Sequence, residues 1–559
     1  MSMKRLAQAL FEPKTVALIG ASGDPKKNTS RPQRFLRKHG YTGRIIPVNP
    51  AETTILGEKC YASLEEIPEK VDIVNVFRRP EFVPAIVESA IHIGAKGLWL
   101  QEEVVHEAAA ERARAAGLDV VVLEARDRIG GRAWSGTASD GSTIDFGGQW
   151  LGPDQARALA LAEATGMEVF PTYVAGANVE LRDGERFEYA GLIPTADPDA
   201  SIEVVTAMLD LDLLGLEVPV DAPWDHEDAA AMDAEPVSAW LDRTITSPVS
   251  RGIVEVALQA VFGANAADLS LLFVLTYLHA GGGLTNLTRT TGGAQERRMA
   301  GGAGALAAHL AAGLEGRIEL GAPVERIAWD DDGVVVGVAG GRAPVAARRA
   351  VLAVNPVVAE RIVLDPDVPE RHALAAGMSM GRVRKVHARY ARPFWRDHGL
   401  SGQLVSTGGS ISSTFDNSPA DGSTGALVGF VAGRDYDATG AMTPAERRAA
   451  VLAELATAFG PEALEPTEYH EVDWPAEEWT GGGPVAVMRP GALGAAGPAL
   501  RRPIGPIHLA GTETALAWMG YLEGALESGE RAAAEVLASL GAAGASAAGT
   551  GEAGAGGAG

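Results

Sequence analysis

Residues 96–134, KGLWLQEEVVHEAAAERARAAGLDVVVLEARDRIGGRAW, constrain the chain more than any other stretch. They read as strand, helix, strand. GLWLQ is a short apolar run, the alanine-rich segment from His106 to Ala116 suits a helix, and Gly117 stops it. LDVVVLEA then resumes as a buried strand ending at Glu124 and Ala125. Such a unit belongs to a parallel sheet, and an acid at the end of its second strand can hold a ribose. The loop before the helix is Gln101, Glu102, Glu103 and Val104, with none of the glycines that let backbone approach a pyrophosphate. Its two carboxylates also repel phosphate: unit charges about 4 Å apart oppose each other by roughly 4 kcal/mol at an effective dielectric of about 20.

At 559 residues the chain should hold two or three domains. A net charge of -24 argues against nucleic acid and anionic membranes. The single cysteine, Cys60, excludes an intrachain disulfide and a thiolate metal cluster, so no metal is expected and a reducing cytoplasm is the natural location. No signal peptide is visible, and no apolar run approaches the roughly 20 residues of a membrane helix.

Residues 1–122 alternate strand and helix signals. TVALIG, RIIPVNP, KVDIVNVFR and GLWLQ read as strands, RPQRFLRKHG and PEFVPAIVESAIHIG as helices, giving an open, doubly wound parallel sheet. A lone GxxG turn such as Gly20–Gly23 says little by itself. Taken together, VALIGAS, IIPVNP, VDIVNVFR and GLWLQEEV resemble the small bacterial CoA-binding proteins related to the succinyl-CoA synthetase alpha subunit. That resemblance implies a Rossmann-like fold in which Gly20, Ala21 and Ser22 cradle a phosphate. Asn49, Pro50, Phe77 and Arg78 would line the crevice at the strand ends, with CoA as the candidate ligand. An empty scaffold is the plainer reading.

From Val121 a second family enters. LEARDRIGGRAW, IDFGGQWLGP, GGAQERRMAGGAGAL, VERIAWDDDGVVV, GRVRKVHARYARPFWR and GPIHLAGTETALAWMGYLEGALESGERAAAEVL occur in that order, and together they resemble the flavin-dependent monoamine oxidases over about residues 121–540. The resemblance implies an α/β chain of two parts: the Rossmann-like CoA-binding domain, then a FAD/NAD(P)-binding-type amine oxidase fold with an interleaved substrate domain. The expected division is 1–122 for CoA and 123–540 for the oxidase. Within the latter, FAD-binding parts fall at about 123–200, 285–375 and 500–540, and substrate-binding parts at about 200–285 and 376–499. Residues 541–559, rich in glycine and alanine, are expected to be disordered.

By the same resemblance Glu124 accepts hydrogen bonds from the adenosine ribose, and Arg126 and Arg132 offer charge to the pyrophosphate. Gly130 and Gly131 allow close backbone approach. Gly147, Gly148, Gln149 and Trp150 run past the flavin ring, and the Val324 backbone meets adenine. Glu513 and Thr514 open the closing helix, whose positive end faces the flavin. Lys385 holds a water near flavin N5, although by itself a lysine in RVRKVHARY reads as a surface residue, and Arg382, Arg384 and Lys385 cannot all be buried. Tyr521 forms one wall of an aromatic cage, with Trp474 and Trp518 in the apolar lining. Pro484 stands where many relatives carry the second wall. Gly483 stands where some carry a cysteine bonded to the flavin, so FAD is expected to be non-covalent. The implied reaction is hydride transfer from the carbon beside a small neutral amine, with oxygen reduced to hydrogen peroxide. A homodimer is left open.

A family member begins with a strand, GxGxxG and a helix; here QEEVVHE stands in the loop. The Gly20 turn lies too far upstream, since about 20 residues separate such a loop from its acid. A fusion inside a strand–helix–strand unit common to both families is the simplest account. The alternatives to a working oxidase are a CoA- or nucleotide-binding protein with a degenerate, FAD-free oxidase domain, and a structural remnant.

Overall fold

The computed structural model describes residues 14–22, 31–38, 41–50, 52–76, 89, 93, 97–100, 120–194, 196–314 and 316–549. The chain forms two compact units, Met1–Asp119 and Val120–Gly559. The loop Gln101–Val104, the alanine-rich segment His106–Ala116, Phe77 and Arg78 lie outside the described residues.

The first unit contains β1 (Thr15–Ile19), α1 (Arg31–Lys38), β2 (Arg44–Val48), β3 (Ile73–Val76) and β4 (Gly97–Leu100). Its strands pair in the order β2-β1-β3-β4, all parallel. The apolar runs explain this: Ala17, Leu18, Ile45, Ile46 and Val74 are fully buried, as a sheet covered on both faces requires. Asp72 fixes the entry to β1 by accepting the backbone N–H groups of Lys14 (2.7 Å) and Thr15 (3.2 Å). Gly20 ends β1 at φ +81°, a conformation natural to glycine.

The second unit begins with β5 (Val122–Leu123). It continues through the hairpin β6 (Ala177–Arg182) and β7 (Glu185–Tyr189), then the helices α2 (Pro198–Glu217), α3 (Pro248–Phe262) and α4 (Leu271–Ala280). Next come β8 (Ile318–Glu319), β9 (Val324–Trp329), β10 (Ala350–Leu352), β11 (Val383–Tyr390), β12 (Leu400–Ser406), β13 (Ser413–Asp416), β14 (Gly425–Ala432), β15 (Glu468–Asp473), β16 (Ile507–Leu509) and the closing helix α5 (Leu522–Gly549). Seven strands form one sheet in the order β7-β6-β12-β13-β14-β11-β15. The three helices build a separate apolar core around Phe262, Phe273 and Tyr277. Asp197 caps α2 by accepting the Ala200 N–H (3.0 Å) with Pro198 in the first turn, and Gly263 closes α3 at φ +63°.

Three expectations are corrected here. LDVVVLEA is not a buried strand over its described part: only Val122 and Leu123 pair, parallel to β8, and Val120 and Val121 are 44% and 40% exposed. Among the described residues β5 has a strand on one edge alone, and burial of a strand needs neighbours on both edges and both faces. Glu513 and Thr514 do not open the closing helix. They lie in a short 3-10 turn, Thr512–Thr514, and α5 starts at Leu522, because Trp518 (φ +53°) and Gly520 (φ +86°) interrupt the path. The alanine-rich tail is not disordered throughout: α5 continues to Gly549, as high alanine helix propensity favours.

Candidate functional site

In the first unit, Gly20, Ala21, Ser22, Asn49 and Pro50 gather at the ends of β1 and β2. The Gly20 N–H donates to the Val48 carbonyl (2.9 Å), and the Asn49 amide donates to the Ala21 carbonyl (2.9 Å). These two bonds tie the adjacent ends of β1 and β2 together.

In the second unit Glu124 follows β5. Its backbone is locked to β8 through Glu319, and its carboxylate accepts the Arg126 N–H (2.9 Å). The chain then turns through Gly130 (φ +90°) and Gly131 (φ +55°), left-handed values that glycine adopts freely. A Cβ on Gly130 would strike the Ala133 carbonyl, whereas one on Gly131 would meet open space. Three arginines follow different courses. Arg126 donates to Glu477 (3.1 Å) and to the Thr480 hydroxyl. Arg132 donates to both oxygens of Glu513 (2.6 and 2.9 Å) and to the Pro484 carbonyl (2.8 Å). Arg128, not singled out from the sequence, stacks over Trp134 at 4.5 Å, and its Nη2 is buried without a hydrogen-bond partner. Burial, and then Arg126, lower its pKa. Its Nη1 donates to the Gly131 carbonyl (2.8 Å) and its Nη2 lies 3.6 Å from Glu477, partners that nothing local in RDRIGGR announces.

Glu513 is 1% exposed. Burial opposes its charge, yet the adjoining Arg132 guanidinium holds the carboxyl below its usual range. Thr514 donates to the Gly511 carbonyl (2.8 Å) and accepts from Arg531 (2.7 Å). Val324 begins β9, paired with Val338.

Strand β11 delivers Lys385, 3% exposed and not a surface residue. Arg384 beside it is also buried, donating to Asp473 (3.0 Å) and stacking on Tyr436, while Arg382 stays partly exposed. The Lys385 Nζ donates to the carbonyls of Asp145 (2.7 Å) and Gly147 (2.7 Å) and to Gln149 Oε1 (2.5 Å). Three acceptors match the three N–H groups of an ammonium. Burial pulls its pKa down to about 7, with Asp145 opposing and Arg298 assisting. The buried Asp145 carboxylate accepts from Ser135 (2.5 Å) and the Ala303 N–H (2.9 Å), and desolvation raises its pKa. Gln149 in turn donates to Asn417 (2.8 Å). A Cβ on Gly147 would run into the Arg132 carbonyl, but one on Gly148 would meet nothing within 4 Å. The Trp150 indole N–H is buried and unpartnered, as is His387 Nε2 two residues along β11. Burial drives the His387 pKa well down, so its ring is neutral.

Trp474 donates its indole N–H to the Phe146 carbonyl (3.1 Å) and meets Trp134 edge-on at 6.3 Å. A Cβ on Gly483 would lie 3.7 Å from Trp474. Tyr521 meets Trp518 edge-on at 5.2 Å, and burial raises its pKa. A Cβ on the intervening Gly520 would run into the Tyr277 hydroxyl of α4. The structure thus draws Lys385, Gly147, Gln149 and Asp145 into one cluster. Trp474 joins the same segment through Phe146, and Tyr521 packs with Trp518.

The chain matches the family model for flavin containing amine oxidoreductases over residues 108–537, and that for a CoA binding domain over residues 14–124. Both matches cover residues 108–124. It is 32% identical over 439 residues to the flavin-containing amine oxidase B of Sus scrofa, covering 78% of this chain and 84% of that one. The structure of a cyclohexylamine oxidase from Brevibacterium oxydans superposes with TM-score 0.74 at 35% identity, covering 78% and 96% of the two chains. A wild-type putrescine oxidase bound to putrescine gives 0.73 at 33% identity, covering 77% and 96%.

Proposed function

The chain belongs to the flavin-containing amine oxidoreductases, with FAD as its cofactor, and on that premise we propose how its residues divide the work on a small amine. When bound, FAD supplies the electron acceptor for a hydride from the carbon beside the amine and passes the electrons to oxygen. The described residues fit that group. Gly131 and Gly148 border open space, and Trp150 carries an unpartnered indole N–H. Glu124 would hold the ribose, the Val324 backbone the adenine, and Arg126, Arg128 and Arg132 the charge of the phosphates. Gly130, Gly147, Gln149, Glu513 and Thr514 would complete the lining. Gly483 offers no nucleophile, so the attachment is non-covalent.

Lys385 ties down the carbonyls on either side of Phe146 and so fixes the path of residues 145–149. Of its three bonds, only that to Gln149 uses a side chain; a water held by Lys385 would exchange with this bond. Tyr521, Trp518 and Trp474 would exclude water and orient the amine as a neutral base, and Pro484 in place of a second aromatic wall widens the pocket. The observation that carries this reading is the contrast between Gly147, clamped against Arg132, and Gly148, facing free space. The test is the visible spectrum of purified protein together with a peroxide assay on alkylamines and diamines. A colourless protein that stays inert after incubation with FAD defeats it.

A second reading has its own support. QEEVVHE offers acids where a pyrophosphate needs glycine, and residues 14–124 match a CoA-binding family. In that reading the crevice at Gly20, Ala21, Ser22, Asn49 and Pro50, with Phe77 and Arg78, binds CoA while the second unit stays free of FAD. Heat on titration with CoA and absence of flavin would favour it. Replacing residues 96–119 by a strand–GxGxxG–helix unit separates the two: a sharp rise in flavin content would locate the fault at the join.

A further inference from the structure

Lys385 is the one lysine beyond Lys96; the other strongly basic side chains of the second unit are arginines, which keep their protons. None of the three oxygens that its Nζ meets belongs to a carboxylate. Two charged groups bear on it. Asp145 has its Oδ1 taken by Ser135 (2.5 Å) and the Ala303 N–H (2.9 Å), and Arg298 donates from Nη1 to the Ser418 carbonyl (2.6 Å). His387, two residues along β11, is neutral, and His470 stands opposite it on β15. Asp416 is gripped by Arg396 through two bonds (2.8 and 3.0 Å). The Lys385 ammonium thus has no carboxylate in contact, and burial already pulls its pKa down to about 7. It can give up its proton inside the fold.

The third oxygen belongs to an amide that can turn. Gln149, 1% exposed, presents Oε1 to Lys385 (2.5 Å) and donates from Nε2 to Asn417 Oδ1 (2.8 Å). Asn417 is buried too, and its backbone is anchored separately, the N–H donating to the Ala426 carbonyl (2.7 Å). An ammonium has three donors and no acceptor, whereas a neutral amine has two donors and a lone pair. The carbonyls of Asp145 and Gly147 can only accept, so they keep the two N–H groups of the amine and its lone pair faces Gln149. An amide oxygen there repels the lone pair; an amide N–H donates to it. Gln149 then shows Oε1 to Asn417, which answers with Nδ2. Amide oxygen and nitrogen are close in size, so both side chains turn in place. We propose that Asn417, acting through Gln149, is a positioning residue for Lys385: the two amides turn over together when Lys385 releases its proton to solvent, and the group at position 417 decides which form is held. This deepens the role given to Lys385 above and rests on that reading for its use, since only the neutral form can take up a proton during turnover.

Full-length protein grown on lysine labelled with carbon-13 at Cε gives a Lys385 resonance, identified by its loss in Lys385→Met. Its titration midpoint should rise in Asn417→Asp by about one pH unit, a tenfold gain in proton affinity. A carboxylate only accepts, so it pins Gln149 in the orientation that faces the ammonium. In a Gln149→Met background the same substitution should raise the midpoint less than about half as much, because nothing carries the signal between the two sites. An equal rise in both backgrounds would mean charge acting through space and overturns the proposal, as does an Asn417→Asp midpoint equal to that of the wild type. If Asn417→Asp fails to fold, Gln149→Met alone decides: losing the acceptor should lower the midpoint, and an unchanged value overturns the proposal. The resonance needs no turnover. A protein that lacks oxidase activity yet shows these shifts keeps the linkage while the oxidase reading fails.

Discussion

Arg132 grips Glu513 through two parallel hydrogen bonds of 2.6 and 2.9 Å, across 381 residues of chain. The pair joins the glycine turn after β5 to the segment before α5, and Glu513 also accepts the Ala486 N–H (3.2 Å). Removing one partner of a buried pair is far more damaging than the pair is stabilising, about 3–5 kcal/mol, because the other charge is left unpaired. Arg132→Met should therefore lower the unfolding midpoint more than Glu513→Gln, which keeps shape and a neutral acceptor. Equal losses in denaturant titrations would show that charge is not the governing term.

Adjacent glycines should respond oppositely to one methyl group. Gly147→Ala drives a Cβ into the Arg132 carbonyl and should destabilise the flavin-free protein outright. Gly148→Ala has room and should leave flavin-free stability nearly unchanged while reducing flavin content. Thermal unfolding of stripped protein, beside absorbance of protein offered FAD, separates the two. A Gly148→Ala protein that takes up a full complement of flavin would count against the flavin passing there.

Lys385 makes stability depend on pH. Its value falls to about 7 in the folded chain through burial, against about 10.4 for an ordinary lysine. Between those values the unfolded chain binds a proton that the folded chain lacks, so stability rises with pH, by about 1.4 kcal/mol per unit. Below about 7 both states are protonated and the term is constant. Lys385→Met should remove this rise between pH 7 and 10, measured as denaturant midpoints. Parallel curves for the two proteins would mean that the ammonium stays charged throughout.

Gly483 predicts complete release of flavin. Precipitating the protein with acid should leave all the yellow colour in the supernatant. Colour retained by the pellet after washing would require a covalent link through another residue.

Much of this was readable locally. TVALIG, RIIPVNP, KVDIVNVFR and GLWLQ each hold a strand of one parallel sheet, as their apolar runs imply. Local signals could not show what a side chain meets across the fold. Lys385 reaches Asp145 over 240 residues, so its burial is invisible in a strand crowded with basic residues. Arg128 was overlooked because three arginines in one short run differ only in their distant partners. LDVVVLEA was misread because apolar content reports what a strand can bury, not whether neighbours arrive to bury it. The start of α5 was misplaced because Trp518, a bulky residue at φ +53°, gives no warning of a left-handed turn.

The Tyr277 hydroxyl occupies the volume that any side chain at position 520 would need. Helix α4 therefore dictates the bend that presents Tyr521, although 244 positions of chain separate the two tyrosines. Chimeras that import the helical region from a relative must carry residues 518–521 with it, and a library diversifying one segment alone will be depleted by clashes originating in the other.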